Sequence, residues 1–482
     1  MSKVKIGLIA ANRGFFSDEL AYKMRGETIK AMQAAGIEVV VPDEKMTNFG
    51  TIGTYAEGLT CAKLFREKGV QGIIVAAVNF GDEQSVAVAV RESGLDVPIL
   101  IFGCQEEEVL TMQTPRRDSF CGLLSIGEAL RQISSKYTVA RIPICFPSDD
   151  SFKQELVRFA AICRVVTGVK GARYGQVGAR PNDFWTCRFD EKALQAKLGV
   201  TTVTLDLSEA IGAVERMNPN SAEVSKVVEN IAKCCDISAA PAEAVNKQAR
   251  FEIFLRNFVK DYDLDAMAIQ CWISLQANLG ICSCTVMGRL GDEGIPCACE
   301  SDIMGALSMH ALRLASGNST GLADWNNVHN DDPDLVNLWH CGVFPVGLAK
   351  TQPKMGAQEI IADTAGRDNT WGVCEFIVKE GPITVARVTQ DNEANFKSVV
   401  VPAVVEENKA RTFGAYGWAR IKNLTALYRD VLCRHFPHHT AFTAGDVADA
   451  IWEAFGNYFG FEVYTGNQTV PGLWTPVPPF AR

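Results

Sequence analysis

Hydrophobic and polar positions in the first third of this chain alternate between two periods. Short apolar runs at residues 4–10, 38–41, 72–77 and 97–102 read as buried strands. Between them, 17–35, 55–68 and 83–92 carry their apolar residues on one stripe at helical spacing. That βαβα rhythm predicts a parallel sheet covered on both faces. A long amphipathic helix over 149–169 leads into a second set of the same kind, with strands at 172–177, 200–206, 266–271 and 295–299 and helices at 218–235 and 240–261. Beyond 341 the pattern changes to alternating or β-branched stretches at 371–379, 383–389 and 399–405, interrupted by helices near 423–434 and 445–458. The expected architecture is α/β: two parallel-sheet domains over 1–168 and 169–340, then a β-rich C-terminal domain over 341–482. The proline-rich stretch 470–482 is expected to run extended over the surface.

Composition narrows the function more than the fold. With 482 residues the chain is too long for one core. Its 47% hydrophobic and 21% charged content is that of an ordinary globular protein. A net charge of -9 with no basic face argues against a nucleic-acid partner. No stretch is apolar for the length of a membrane span, and the N-terminal run reads as a core strand, not as a signal peptide, so the expected location is cytoplasmic. Sixteen cysteines are scattered, mostly inside apolar runs. Two C-x-C pairs, Cys282/Cys284 and Cys297/Cys299, suggest zinc at first sight. On a strand, however, that spacing puts both sulfurs on one face without the turn of C-x-x-C, so buried reduced thiols are the expectation.

The segment 295–305, I-P-C-A-C-E-S-D-I-M-G, concentrates the candidate chemistry. An apolar run ends in Glu300, and Ser301 or Asp302 is placed to cap a helix over 303–314. Glu300 thus stands at the carboxyl end of a strand, where open α/β sheets bind their ligands. A second carboxylate, Asp324, follows in what reads as a polar loop, G-L-A-D-W-N-N. Taken singly, either acid is equally a surface carboxylate. Only six histidines occur, and three of them fall within 435–439. His438 and His439 either bond locally in a turn or supply one metal ligand and one neighbour that reaches substrate. The T-A-F-T-A-G-D that follows reads as the cap of the next helix. His340, in N-L-W-H-C-G, is a third imidazole candidate. Two carboxylates and a histidine at one point would hold a hard cation with positions left open for sugar oxygens. Arg13, in the loop after the first strand, either binds a polar ligand or simply connects strand to helix. Asn79 occupies the corresponding place after a later strand. Gln270 and Trp272, in A-I-Q-C-W, follow another strand end and offer a polar group and a wall. The sequence holds no G-x-S-x-G elbow and no phosphate-binding glycine loop.

Together, C-x-C-E-S-D-I-M-G-A-L-S-M, the Asp324 loop, N-L-W-H-C-G-V-F-P and H-H-T resemble the L-fucose isomerase and L-arabinose isomerase superfamily, with G-T-Y-A-E-G and A-I-Q-C-W also similar. The resemblance implies two flavodoxin-like domains followed by a β-rich domain. It implies Mn²⁺ as cofactor, with Mg²⁺ or Co²⁺ as alternatives, ligated by Glu300, Asp324 and His439. Arabinose isomerases use two Glu and an additional His, to which His340 would correspond. Arg13, Asn79, Gln270, Trp272, His340 and His438 are the expected substrate contacts. The family pattern further implies a homo-oligomer, hexamer or trimer, in which Arg13 and Asn79 complete a neighbour's site. The expected activity is aldose–ketose isomerisation of a small-molecule sugar through a cis-enediol, with Glu300 and Asp324 moving the protons. The competing readings are another metal-dependent lyase or epimerase, or a non-catalytic sugar-binding protein.

Overall fold

The computed structural model describes residues 3–107 and 109–466; the proline-rich stretch 470–482 lies outside the described residues. The described residues divide into two compact units, one holding 3–167 with 456–460, the other 168–455 with 461–466.

In the first unit β1 (Lys5–Ala11), β2 (Glu38–Val40), β3 (Gly72–Ala77), β4 (Ile99–Cys104) and β5 (Thr138–Cys145) form one sheet in the order β2-β1-β3-β4-β5. All four pairings are parallel. Strands β1, β3 and β4 are buried on both faces, which is why they read as unbroken apolar runs and not as alternating ones. The order reverses between β1 and β3, and the loops carrying Arg13 and Asn79 leave the carboxyl ends of those two strands.

The second unit contains two sheets. β6 (Arg173–Val177), β7 (Thr201–Leu205), β8 (Ala266–Ile269) and β9 (Cys297–Ala298) form a parallel sheet in the order β7-β6-β8-β9. The remaining strands are β10 (Thr320–Val328), β11 (Leu335–His340), β12 (Lys354–Ala357), β13 (Trp371–Ile377), β14 (Gly381–Gln390), β15 (Phe396–Glu406), β16 (Ala415–Arg420), β17 (His439–Ala444) and β18 (Glu462–Tyr464). Their order is β12-β13-β16-β11-β10-β17-β14-β15-β18, and β16 also pairs with β15. Six strands therefore close on themselves, β16-β11-β10-β17-β14-β15, with every neighbour antiparallel. Closure removes the open edges that a sheet this large would otherwise expose. The helix Ile303–Ser316 packs against β8 and β9 of one sheet and β10, β14 and β17 of the other, so it is buried on nearly every side.

The architecture expected from the sequence is the one observed: two parallel α/β sheets and a β-rich C-terminal part. Three local readings are corrected. Asp324 lies not in a loop but within β10, where its polar neighbours occupy the exposed half of the strand. The run T-A-F-T-A belongs to β17 and not to a helix cap, because its alternating residues pair on both sides with β10 and β14. Cys282 and Cys284 are not on a strand, since Cys284 begins the helix Cys284–Asp292. All sixteen cysteines are free, and thirteen are buried, as reduced core thiols should be. Among the described residues no helix is long and apolar enough to cross a membrane.

Candidate metal centre

Three elements of the second unit bring the candidate ligands to one point. β9 ends at Ala298, and the chain then turns through two left-handed residues, Glu300 (φ 53°) and Ser301 (φ 54°). Consecutive non-glycine residues in that conformation are costly and persist only where the surroundings fix them. Asp302 supplies part of that fixing. Its Oδ1 accepts from the Gly305 N–H (2.9 Å) and caps the helix Ile303–Ser316. Both its oxygens also accept from Arg387 of β14, at 3.0 Å for Nη2–Oδ1. Gly305 is needed here for room, because a Cβ would stand 2.7 Å from Asp302 Oδ2 and 3.0 Å from Arg387 Nη1.

Asp324 and His439 are Cα partners across β10 and β17, so their side chains emerge from the same face of the sheet. His340 is the last residue of β11, the strand on the other side of β10. His439 Nε2 stands 3.2 Å from Glu300 Oε2 and 3.7 Å from Asp324 Oδ1, and His340 Nε2 stands 3.7 Å from Glu300 Oε2. Glu300 Oε2, Asp324 Oδ1 and His340 Nε2 are buried and have no hydrogen-bond partner among the described residues. Orphaned buried polar atoms are rare and call for a missing partner. Neighbouring ligands of an octahedral hard cation with bonds near 2.1 Å stand roughly 3 Å apart, close to the observed spacings.

The two buried imidazoles are held in opposite senses. His439 Nδ1 is 2.9 Å from Asp302 Oδ2. A carboxylate only accepts, so Nδ1 carries the proton and Nε2 keeps its lone pair for a metal. His340 Nδ1 instead accepts the Cys341 backbone N–H at 3.0 Å. That contact favours a proton on Nε2, which faces Glu300 Oε2, although Nδ1 also lies 3.3 Å from the Cys341 sulfur. Two groups close enough to hold a cation meet here, Glu300 with His340 and His439, and Asp324 with His438 and His439, and His439 belongs to both.

Electrostatics follow from the same contacts. Burial pushes the Glu300 carboxyl up, but the imidazoles of His340 and His439 outweigh it and hold the group well below the usual carboxylate range. For Asp302, burial is likewise outweighed by Arg387 and His439, which keep it ionised. Burial lowers His439, yet Asp302, Cys187 and Glu300 raise it well above the ordinary imidazole range. His438 is lowered by burial and by its neighbour His439. With a side chain 41% exposed, it stands at the rim, Nε2 3.8 Å from Asp324 Oδ1.

Trp272 packs edge-on against Phe184, whose ring also approaches His438. Thr186 and Cys187 of the same loop touch His438 and His439. Gln270 accepts from the Ala179 N–H (2.9 Å) and lines a cleft of about 810 Å³ at the carboxyl ends of β6, β7 and β8. Ala179 in turn accepts from Ser301, beside Glu300. Arg13 and Asn79 belong to the first unit, where the Arg13 N–H donates to Asn79 Oδ1 (3.1 Å) and the guanidinium donates to Gly81 O and pairs with Glu83. Sequence reasoning recognised Asp302 only as a cap and missed Arg387, Phe184 and Cys187. A lone arginine inside the apolar run of β14 was the one available signal, since a buried guanidinium demands a carboxylate.

Comparison with known proteins adds a second line of support. Residues 7–170 match the family described as the N-terminal domain of fucose/sulfoquinovose isomerase, and residues 338–466 match the C-terminal domain of L-fucose isomerase. The sulfoquinovose isomerase of Priestia megaterium is 23% identical over 457 residues, covering 94% of this chain and 97% of that one. That of Alkalicoccus urumqiensis is 25% identical over 458 residues, with the same coverages. That of Clostridium sp. is 22% identical over 406 residues, 83% of this chain and 86% of its own.

Proposed function

The chain belongs to the fucose isomerase-like superfamily of sugar aldose–ketose isomerases, and from that premise we propose a metal-dependent isomerase acting on a free sugar or a sugar bearing an anionic terminus. The observation that carries the proposal is that two orphaned carboxylate oxygens, Glu300 Oε2 and Asp324 Oδ1, flank His439 Nε2 at 3.2 and 3.7 Å. Such an oxygen-rich set suits Mn²⁺, Mg²⁺ or Co²⁺ better than structural zinc. A cation bound there polarises the carbonyl of the open-chain sugar and acidifies the neighbouring hydroxyl.

The chain's own residues supply the rest. Asp302 keeps the proton of His439 on Nδ1. The His340 Nε2–H is a donor for an oxygen of the reacting carbons. Glu300, held ionised, removes a proton from one of C1 and C2 and returns it to the other through a cis-enediol, while Asp324 handles the hydroxyl proton. Trp272, Phe184 and His438 wall the rim. Because the curated relatives act on sulfoquinovose, the first sugars to test are sulfoquinovose and 6-deoxyglucose, which is the same sugar without the sulfonate, followed by L-fucose, D-arabinose and L-arabinose.

Incubation of the Mn²⁺-loaded enzyme with this panel in deuterium oxide should give a ketose carrying solvent deuterium. Absence of ketose from every sugar would overturn the isomerase reading, and strict retention of substrate hydrogen would replace the enediol by a hydride shift. Glu300→Gln should lower turnover by about 10²–10⁴-fold. A variant retaining more than about a tenth of wild-type activity would remove Glu300 from the base role.

A further inference from the structure

The Glu300 carboxylate has two sides, and only one of them faces the imidazoles. Oε2 is turned to His439 and His340, whereas Oε1 accepts from the Cys271 thiol at 3.4 Å. Cys299 Sγ lies 2.8 Å from Cys271 Sγ. All three side chains are buried, Cys299 completely. The fold explains how cysteines so far apart in sequence meet. β8 and β9 are parallel neighbours, with Met267 opposite Cys297 and Ala268 opposite Ala298, so the residues just past their paired ends lie side by side. One donor atom from each of Cys271, Cys299 and Glu300 falls within 4.8 Å of the others.

We propose that Cys271, Cys299 and Glu300 form a second cation site, for a thiophilic ion of the zinc and cadmium class, that shares Glu300 with the hard-metal centre. Thiolate sulfur selects soft cations, and a carboxylate oxygen completes many such sites. With metal–sulfur bonds near 2.3 Å, two sulfurs on a tetrahedral ion stand roughly 3.8 Å apart, so the thiols separate by about 1 Å when the ion enters. The neighbouring cluster of Cys187, Asp302 and His439 does not compete, because Asp302 and His439 are already bonded to each other and to Arg387. A soft ion at Cys271 and Cys299 draws on the same carboxylate that the proposed catalysis requires. It therefore opposes the hard metal and does not substitute for it. That inhibitory consequence rests on the role given to Glu300 above; binding of the ion does not.

The test is titration of the reduced, full-length protein with Cd²⁺, following the thiolate-to-cadmium charge-transfer band in the ultraviolet. One equivalent should saturate the band. Cys271→Ser and Cys299→Ser should each abolish it, while Cys61→Ser, a buried thiol of the first unit, should leave it unchanged. Melting curves establish that each variant is folded. Differential alkylation of the wild type, read by mass spectrometry, assigns the protected thiols without any substitution and should show protection of Cys271 and Cys299. A missing band, a band that survives either serine variant, or protection confined to other cysteines overturns the site. Sugar turnover with Mn²⁺ is read separately, so a working isomerase without the band refutes the soft site alone. A band without turnover refutes the isomerase alone.

Discussion

Replacing Asp302 by asparagine changes one atom of the side chain and reverses the logic of the centre. The substituted amide keeps an oxygen for the Gly305 N–H and for Arg387 Nη2, the partners of Oδ1 at 2.9 and 3.0 Å. Its nitrogen then takes the place of Oδ2, the atom that accepts from Arg387 Nη1 and from His439 Nδ1. Donors face a donor there. His439 relieves its own contact by moving the proton from Nδ1 to Nε2, which leaves no lone pair for a cation. Loss of a carboxylate that orients a ligating histidine lowers metal affinity by roughly 10–100-fold, or about 1.4–2.8 kcal/mol. Arg387, almost fully buried, loses its only carboxylate among the described residues, and breaking a buried pair costs about 3–5 kcal/mol of stability. Two assays separate these effects: calorimetric titration with Mn²⁺ and thermal unfolding of the metal-free protein. Arg387→Met is the control, since it removes the guanidinium but leaves Asp302 beside His439. It should melt early yet keep a Mn²⁺ affinity within a few-fold of the wild type. Asp302→Asn with wild-type Mn²⁺ affinity would refute the tautomer argument. Equal loss of affinity in both variants would reduce it to a general loosening of the site.

Three further outcomes follow from individual contacts. If His340 acts as the proposed donor, His340→Asn should leave Mn²⁺ affinity nearly unchanged while lowering kcat by about 10-fold or more; loss of Mn²⁺ binding would make it a ligand. His310 is buried, bonded to the Tyr174 hydroxyl (3.1 Å), and lowered to about 4 by burial and by Arg313, against 6.5 in the unfolded chain. Between those values the unfolded chain binds the extra proton, so stability is full above about pH 6.5 and falls by roughly 3 kcal/mol as the pH drops toward 4. His310→Gln should flatten that part of the melting-temperature profile, and an unchanged slope would exclude His310 as its source. Arg188 has no ion-pair partner among the described residues and lies over the Trp185 ring at 4.1 Å, on the loop that touches His438 and His439. A guanidinium stacked this way keeps its in-plane donors available to an anion. If the substrate is the anionic sugar proposed above, Arg188→Ala should lower kcat/KM for sulfoquinovose about 10-fold relative to 6-deoxyglucose; equal effects on both sugars would remove it from anion recognition.

The sequence made the parallel sheets legible because β1, β3 and β4 are buried on both faces and so appear as continuous apolar runs between amphipathic helices. β10 and β17 were harder to read. Half of β10 is exposed and polar, and β17 is short and threonine-rich, so their local composition resembles that of loops. What makes them strands is pairing with β11 and β14 and with each other, the last a contact between segments over a hundred residues apart. The closing pair β15–β16 joins segments adjacent in sequence, but local pattern does not say which strands a segment pairs with. Local pattern reports burial, whereas register is a property of partners.

The same division runs through the site. Glu300 stood out because a carboxylate ending an apolar strand has few purely structural uses, and His438 with His439 stood out because the chain has so few histidines. Those signals say which residues gather; they do not say which nitrogen faces the cation. That depends on what touches Nδ1, and for His439 it is a carboxylate from a helix cap, while for His340 it is the backbone N–H of the next residue. Two imidazoles of identical sequence chemistry thus become an acceptor and a donor on either side of Glu300. The distinction has a thermodynamic signature. With the Nδ1 proton held by Asp302, a metal must displace the second proton that Glu300 favours on Nε2, so Mn²⁺ affinity should rise with pH until the raised His439 value, above the ordinary imidazole range, is passed. His340, raised likewise by Cys341 and Glu300, keeps its Nε2 proton if it is not a ligand and then contributes nothing to that release. Calorimetry in buffers of different ionisation enthalpy counts the protons: His340→Asn should leave the number released on Mn²⁺ binding unchanged, and a reduced number would place His340 among the ligands.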